Sequence, residues 1–129
     1  MEKWLDKLRK NGYRTTRSRR EILRVLTFHE TPLTPRQIRE KIPQKIPDLS
    51  TIYRDLTLFE ELEIVESIFT PLGNFYEMKD TPHHSHFICS LCHRITCVPC
   101  PLGKDDYPKH QVIFWGECDK CKRQRREKR

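Results

Sequence analysis

The chain has 129 residues, 33% of them charged, and a formal net charge of +7 at pH 7. It has no apolar run near the roughly 18 residues that cross a membrane, and the charged segment after Met1 does not resemble a signal peptide. These features exclude a membrane protein and favour the reducing cytoplasm. In that compartment, closely spaced cysteine pairs are more often metal ligands or redox groups than disulfides.

The basic residues are concentrated in the first half of the sequence. Residues 1–54 contain fourteen Lys and Arg against six Asp and Glu, a local balance of +8. Such a surface fits a nucleic-acid partner, because lysine and arginine release counterions from the phosphates they bind. The charge alone is also compatible with a highly charged, solvated surface that binds nothing.

Hydrophobic spacing predicts two helices at the start of the chain. The first covers residues 1–11 and ends at Gly12, which is typical of a helix C-terminus. The second follows a hydroxyl N-cap at Thr16 or Ser18. Its apolar stripe is formed by Ile22, Leu23, Val25 and Leu26.

Two further helices and a hairpin follow. Thr34 is the predicted N-cap of the third helix, with Pro35 at its first position and Gln37 completing a capping box. Asp48 caps a fourth helix that runs to about Leu62. The β-rich segments 64–69 and 75–78 flank a turn with Pro and Gly at 70–74. Helices followed by a hairpin, with a basic front half, predict a winged helix-turn-helix DNA-binding domain over residues 1–79, in which helices three and four form the helix-turn-helix.

Residues 80–123 form the predicted second domain, which is small and mostly β. Short strands are expected at 86–89, 94–98 and 111–116, interrupted by cysteine turns. Residues 124–129 are a basic tail, which we interpret either as a solvated end or as an extra phosphate contact. The overall expectation is an α+β chain of two domains.

Two CxxC pairs predict a closed metal site. The pairs are 25 residues apart, and each can aim two thiolates at one point, which gives the tetrahedral sulfur set of a structural zinc site. Iron can also bind four thiolates in this geometry. The alternative without a metal is four buried, unreactive cysteines. A domain this small cannot be stabilised by burial alone, so zinc would supply folding energy. The ligands are Cys89, Cys92, Cys118 and Cys121.

Four motifs in order resemble the ferric uptake regulator (Fur) family of metal-responsive bacterial repressors: "GYRTTRSRREIL", "LSTIYRDLTLFEELEIV", "HHSHFICSLC" and "GECDKC". The resemblance implies a metal-dependent repressor of metal-homeostasis genes, a homodimer that reads an AT-rich palindromic operator in double-stranded DNA. It places Thr51, Tyr53 and Arg54 on the recognition helix, with Arg17 and Arg19 near the phosphates. Tyrosine contacts thymine methyl groups and arginine binds phosphate or guanine, which agrees with these roles.

The resemblance also implies a regulatory metal site. Carried over by position, its ligands are Glu77, His84, His86 and Cys97. The family usually has glutamate where Cys97 stands, and a further family ligand falls at Pro32. A thiolate with two imidazoles favours Zn²⁺, whereas iron is the family's commonest signal and Mn²⁺ is also possible, so the sensed ion stays open.

A possible extra metal site would use His83, His110 and Cys100, although Ser85 stands where the family usually has an acid. The long helix that family members carry between the two CxxC pairs is missing, so we expect a truncated dimerisation domain with a smaller interface. Two alternatives remain: a constitutive winged-helix and zinc-ribbon factor with structural zinc only, or a thiol redox or peroxide sensor that uses Cys97 and Cys100. No constellation of acid, base and nucleophile indicates an enzyme.

Overall fold

The structure is a computed structural model that describes residues 1–45, 47–80, 82–102 and 110–127. The chain divides into two compact units, Met1–Thr81 and Pro82–Arg129, where the sequence suggested a division between 79 and 80. Among the described residues, no helix is long and apolar enough to cross a membrane.

The first unit begins with helices at the positions that the caps predict. They are α1 (Glu2–Lys10), α2 (Arg17–Phe28), α3 (Pro35–Glu40) and α4 (Leu49–Glu61), with a 3-10 turn at Pro43–Lys45 before α4. The Thr16 hydroxyl accepts the backbone N–H of Arg19 at 3.3 Å, which selects Thr16 over Ser18 as the cap of α2. Thr34 and Gln37 form the predicted capping box of α3, and Asp48 caps α4. The predicted helix starts are therefore confirmed.

The core of the first unit is apolar and continuous. On α4 the side chains of Ile52, Leu56 and Phe59 are fully buried, because they recur every three or four residues on one face. They pack in one cluster with fully buried side chains of α1 and α2, namely Leu8, Ile22 and Leu23. Each such side chain contributes about 1.5–3 kcal/mol when removed from water.

The hairpin of the first unit is the predicted wing. Strand β1 (Val65–Thr70) pairs antiparallel with β2 (Gly73–Met78), so the turn is shorter than the expected 70–74 segment. Gly73 has a φ of +118°, a conformation that few other residues adopt. Leu33 and Tyr76 exchange two backbone hydrogen bonds, of 3.0 and 2.7 Å, which tie the loop before α3 to the wing.

The second unit is a small sheet followed by a helix. Its strands are β3 (Ser85–Cys89), β4 (Ile95–Val98) and β5 (Ile113–Gly116), in the order β4-β3-β5. Strand β3 runs antiparallel to β4 and parallel to β5. The described parts of the stretch between the CxxC pairs, 93–102 and 110–117, contain no helix, as expected for the truncated domain, while 103–109 lie outside the described residues.

The end of the chain differs from the expected tail. Helix α5 (Asp119–Glu127) includes most of the basic segment 124–129, of which the last two residues lie outside the described chain. Lys, Arg, Gln and Glu are good helix formers, and the order of charges suits the helix dipole, with Asp119 in the first turn and Arg125 and Arg126 in the last. None of the α5 residues is buried, so this end is solvated but helical.

Candidate metal centres and DNA-facing helix

The four paired cysteines converge in the second unit. The Sγ atoms of Cys89 and Cys121 are 3.7 Å apart, those of Cys92 and Cys118 are 3.8 Å apart, and all four ligand atoms lie within 4.8 Å of one another. A tetrahedron with Zn–S bonds of about 2.3 Å has edges of about 3.8 Å, so the geometry fits zinc. The cysteines come from the end of β3, the turn after it and the start of α5.

Backbone N–H groups shape this cysteine cluster. The N–H groups of Leu91, Cys92 and Cys118 each donate to the Cys89 sulfur at 3.4 Å. The bonds from Cys92 and then Cys118 lower the pKa of Cys89 to about 6, whereas the thiol of Cys118 raises the pKa of Cys121 to about 12. Without a metal, Cys89 therefore ionises first, and its negative charge disfavours ionisation of the neighbouring thiols. A bound cation would offset that repulsion.

Three of the predicted regulatory ligands also meet in the second unit. The Nε2 atoms of His84 and His86 are 3.1 Å apart, and Cys97 pairs with His86 across β3 and β4. Their ligand atoms lie within 4.8 Å of one another. His84 Nδ1 lies 2.7 Å from the Pro82 carbonyl, which can only accept, so Nδ1 carries the proton and Nε2 presents a lone pair. Glu77 lies half-buried on β2 of the first unit.

The possible extra site has three converging ligands. The Nε2 atoms of His83 and His110 are 2.8 Å apart, and Cys100 Sγ is 3.2 Å from Nε2 of His110. The buried Ser85 hydroxyl stands where an acid was expected. The Ser85 Oγ is buried and has no partner at hydrogen-bonding distance and angle among the described residues, but its proximity is the first cause that lowers the pKa of Cys100 to about 6, followed by the Leu102 N–H and the two histidines. All three residues were candidate ligands from the sequence, whereas the influence of Ser85 was not foreseen.

The exposed face of α4 carries two of the predicted DNA contacts. Tyr53 and Arg54 are exposed, and Thr51 is half-buried in the first turn. At the start of α2, Arg17 is exposed, whereas Arg19 is half-buried in an ion pair with Asp55. Asp55 was not predicted from the sequence, where its one signal was a carboxylate among the buried positions of α4.

Comparison with known proteins identifies the family. A family model described as "Ferric uptake regulator family" matches residues 10–102, well over half of the chain. A ferric uptake regulation protein of Campylobacter jejuni is 33% identical over 141 residues, covering 97% of this chain and 90% of the relative. The peroxide-responsive repressor PerR of Staphylococcus epidermidis is 27% identical, covering 95% and 90%.

A solved structure has the same fold. The Helicobacter pylori ferric uptake regulator, described as having three functional metal binding sites, superposes with a TM-score of 0.80 at 25% identity. The match covers 94% of this chain and 90% of that one. The expected fold class and the family resemblance are both confirmed, and this chain belongs to the ferric uptake regulator family.

Proposed function

We propose that the chain is a metal-dependent DNA-binding transcriptional repressor of metal-homeostasis genes, and not an enzyme. The observation that carries this proposal is the second cluster of metal ligands, His84, His86 and Cys97, in a chain whose α4 exposes Tyr53 and Arg54. A constitutive DNA-binding protein needs the four-cysteine site for its fold, but has no use for a second set of ligands. Bacterial transcription places such a repressor in the cytoplasm.

The four-cysteine cluster is proposed to hold a structural Zn²⁺. Its sulfur–sulfur distances match a tetrahedral ion, and its unit has few apolar side chains to bury. Closed sets of four thiolates leave no open coordination position, which suits a structural role. This ion would remain bound whether or not the regulator is active.

The regulatory ion is proposed to bind His84, His86 and Cys97 together with Glu77. One thiolate and two imidazoles favour Zn²⁺ over Fe²⁺ or Mn²⁺. The ion can activate DNA binding only if it binds the DNA-competent conformation more tightly than the others, because a ligand shifts populations by its differential affinity.

We further propose that His83, Cys100 and His110 take a third ion. Their ligand atoms lie within 4.8 Å of one another, and a set of two imidazoles and one thiolate also favours Zn²⁺. The third site predicts a stoichiometry of three ions per chain at saturation, against two if only the first two sites fill.

On DNA, the homodimer is proposed to read the two halves of an AT-rich palindrome. Tyr53 and Arg54 would contact base edges, Thr51 would lie beside them, and Arg17 would contact phosphate. Arg19 was assigned with Arg17 by resemblance, but Arg19 is half-buried in an ion pair with Asp55, whereas Arg17 is exposed.

The test combines metal analysis with DNA binding. A duplex is selected from a random pool by the zinc-loaded protein, and its affinity is measured by fluorescence anisotropy before and after mild chelation that leaves one Zn²⁺ per chain. We expect affinity to fall about 5- to 150-fold on chelation and to return with added Zn²⁺. Equal affinity in both states would refute the switch and leave a constitutive winged-helix protein with structural zinc.

A thiol sensor is the second candidate. It is supported by the exposed Cys97, by a Cys100 thiol with its pKa lowered to about 6, and by the likeness to a peroxide-responsive repressor. Hydrogen peroxide would oxidise the two thiols to a disulfide and be reduced to two water molecules. Mass spectrometry after peroxide treatment, with DNA affinity measured in parallel, tests it: a reversible Cys97–Cys100 disulfide that leaves DNA affinity unchanged would exclude the sensor.

A further inference from the structure

Asp55 is a buried carboxylate on α4, next in sequence to the exposed Arg54. Its side chain is shielded from solvent, yet both oxygens have donors from the start of α2. Ser18 Oγ donates to Oδ2 at 2.7 Å, and Arg19 Nε donates to Oδ1 at 3.2 Å. Two consecutive residues of one helix therefore hold one carboxylate of another.

The start of α2 favours an anion at this point. A helix N-terminus carries a partial positive charge, which an acidic residue in the first turn usually balances. The first turn of α2 has no acidic residue. Asp55 of α4 supplies the negative charge instead, so the interaction combines an ion pair, a hydroxyl hydrogen bond and the helix dipole.

The guanidinium of Arg19 is engaged on several sides. Beyond Asp55, its Nη1 donates to the backbone carbonyl of Arg14 at 2.9 Å, and its Cζ lies 5.8 Å from the centre of the Tyr13 ring. Its side chain is only 21% exposed. An arginine that grips a phosphate needs a guanidinium open to solvent, as the exposed Arg17 has.

The contact at Asp55 also fixes how α4 is rotated. Successive residues of an α-helix are about 100° apart, so holding Asp55 against α2 sets the directions of Arg54 and Tyr53. We propose that Arg19 and Ser18 are positioning residues that orient the DNA-reading face of α4 through Asp55, and that Arg19 is not a phosphate contact. This inference rests on the proposed DNA-binding function.

Salt dependence separates a positioning residue from a phosphate contact. The test compares Arg19→Met with Arg17→Met in the full-length, zinc-loaded protein, using the selected duplex and a scrambled duplex of the same composition. Each phosphate contact that is lost reduces the slope of log K against log salt by about 1. Far-UV circular dichroism and thermal unfolding first establish that each variant is folded at the assay temperature.

The two variants should differ in both readouts. Arg19→Met should weaken binding to the selected duplex about 5- to 150-fold, the worth of one good base contact, leaving the scrambled duplex and the salt slope nearly unchanged. Arg17→Met should weaken both duplexes alike and lower the slope. A lower slope in Arg19→Met, with equal losses on both duplexes, would overturn the proposal.

Asp55→Asn provides the second variant. It keeps the size of the side chain and can still accept from Ser18, but it removes the charge opposite Arg19. If Arg19 acts through Asp55, the double variant should bind the selected duplex about as well as the weaker single variant, because the two losses share one interaction. Strictly additive losses would contradict the proposed route.

Hydrogen exchange tests the positioning role of Ser18 and Arg19 independently of the proposed DNA-binding function. If the wild-type protein selects no duplex over the scrambled one, the proposed function fails, but the contact of Asp55 with Ser18 and Arg19 can still be tested. Amide exchange along α4 should then be faster in both Arg19→Met and Asp55→Asn than in the wild type. Unchanged exchange along α4 in both variants would overturn the positioning role independently of DNA.

Discussion

The two compact units of this chain are stabilised in different ways. The first buries a continuous apolar cluster drawn from its helices and wing. The second has only a few buried apolar side chains among its described residues, notably Ile88 and Ile95, yet it contains all six cysteines and five of the six histidines of the sequence. Burial of apolar side chains therefore stabilises the first unit. In the second unit, metal coordination can supply the folding free energy that burial does not.

This contrast fits the proposed sensing site, most of whose ligands lie in the second unit. A fold that depends on metal ligands is already organised around converging thiols and imidazoles, and the same short strands that present the structural site also present His86 and Cys97. The first unit has an apolar core of its own, so we expect α4 to stay folded with or without the ion, and the ion is proposed to change DNA affinity rather than the folding of α4. The following changes should affect one unit and spare the other.

Loss of the structural metal should give the largest effect. Cys118→Ser removes one of four zinc ligands, and structural zinc binding is worth on the order of 10 kcal/mol of folding free energy. We expect the second unit to unfold while the first keeps its own thermal transition in differential scanning calorimetry. Cys97→Ser is the matched control, since Cys97 lies outside the four-cysteine cluster. An unchanged calorimetric trace for Cys118→Ser would contradict the structural assignment.

A cavity in the apolar core should destabilise the first unit and leave the second unit unchanged. Phe59 is fully buried, so Phe59→Ala should destabilise the first unit by about 3–5 kcal/mol. Bound zinc should remain at its wild-type level, measured by elemental analysis. Phe28, which is 78% exposed, gives the control Phe28→Ala, expected to change stability by less than about 0.5 kcal/mol. Zinc loss in Phe59→Ala would show that the units are not stabilised separately.

The local rules of helices predicted most of the first unit. The capping box at Thr34 and the N-cap at Asp48 depend on neighbours within three residues, and the structure has both. The Asp55 contacts with Ser18 and Arg19 join residues more than thirty positions apart, so no local pattern could indicate them. The partial burial of Arg19 has the same long-range origin.

In the second unit, spacing predicted one site and resemblance the others. A CxxC pair specifies its own geometry, so the four-cysteine cluster followed from the sequence. The approach of His86 to Cys97 depends on the register of β3 against β4. The approach of His83 to His110 joins residues 27 positions apart. Neither contact follows from local spacing, so only the family resemblance could indicate them. The helical end at α5 was missed because a basic run has no apolar stripe to mark a helix.

Substitutions on the two functional surfaces should separate DNA contact from metal response. Arg54→Ala should weaken binding of the selected duplex by about 1–3 kcal/mol with or without Zn²⁺, because it removes a DNA contact. His86→Ala should leave the metal-free affinity unchanged and abolish the gain on adding Zn²⁺. Both are measured by anisotropy. The control is His29→Ala, a histidine outside the ligand clusters; a loss of metal response there would contradict the assignment.

The smallest expected effect is a pH response of the second unit at Cys100. Its pKa falls from an ordinary 9.0 to about 6, chiefly through the Ser85 hydroxyl. A lowered folded-state pKa stabilises the folded state fully above pH 9, progressively less as pH falls, and not at all below about 6. In protein that keeps only the structural zinc, the rate of Cys100 alkylation, measured by mass spectrometry, should reach half of its plateau value near pH 6.

Ser85→Ala is the matched variant for this response. Removing the hydroxyl should move the alkylation midpoint upward from about 6, because the nearby hydroxyl is the first cause of the lowered pKa, while the contributions of the Leu102 N–H and the neighbouring histidines remain. A midpoint that stays near 6 in Ser85→Ala would assign the shift to the Leu102 N–H and the histidines. A wild-type midpoint near 9 would contradict the lowered pKa of Cys100 and with it the proposed influence of Ser85.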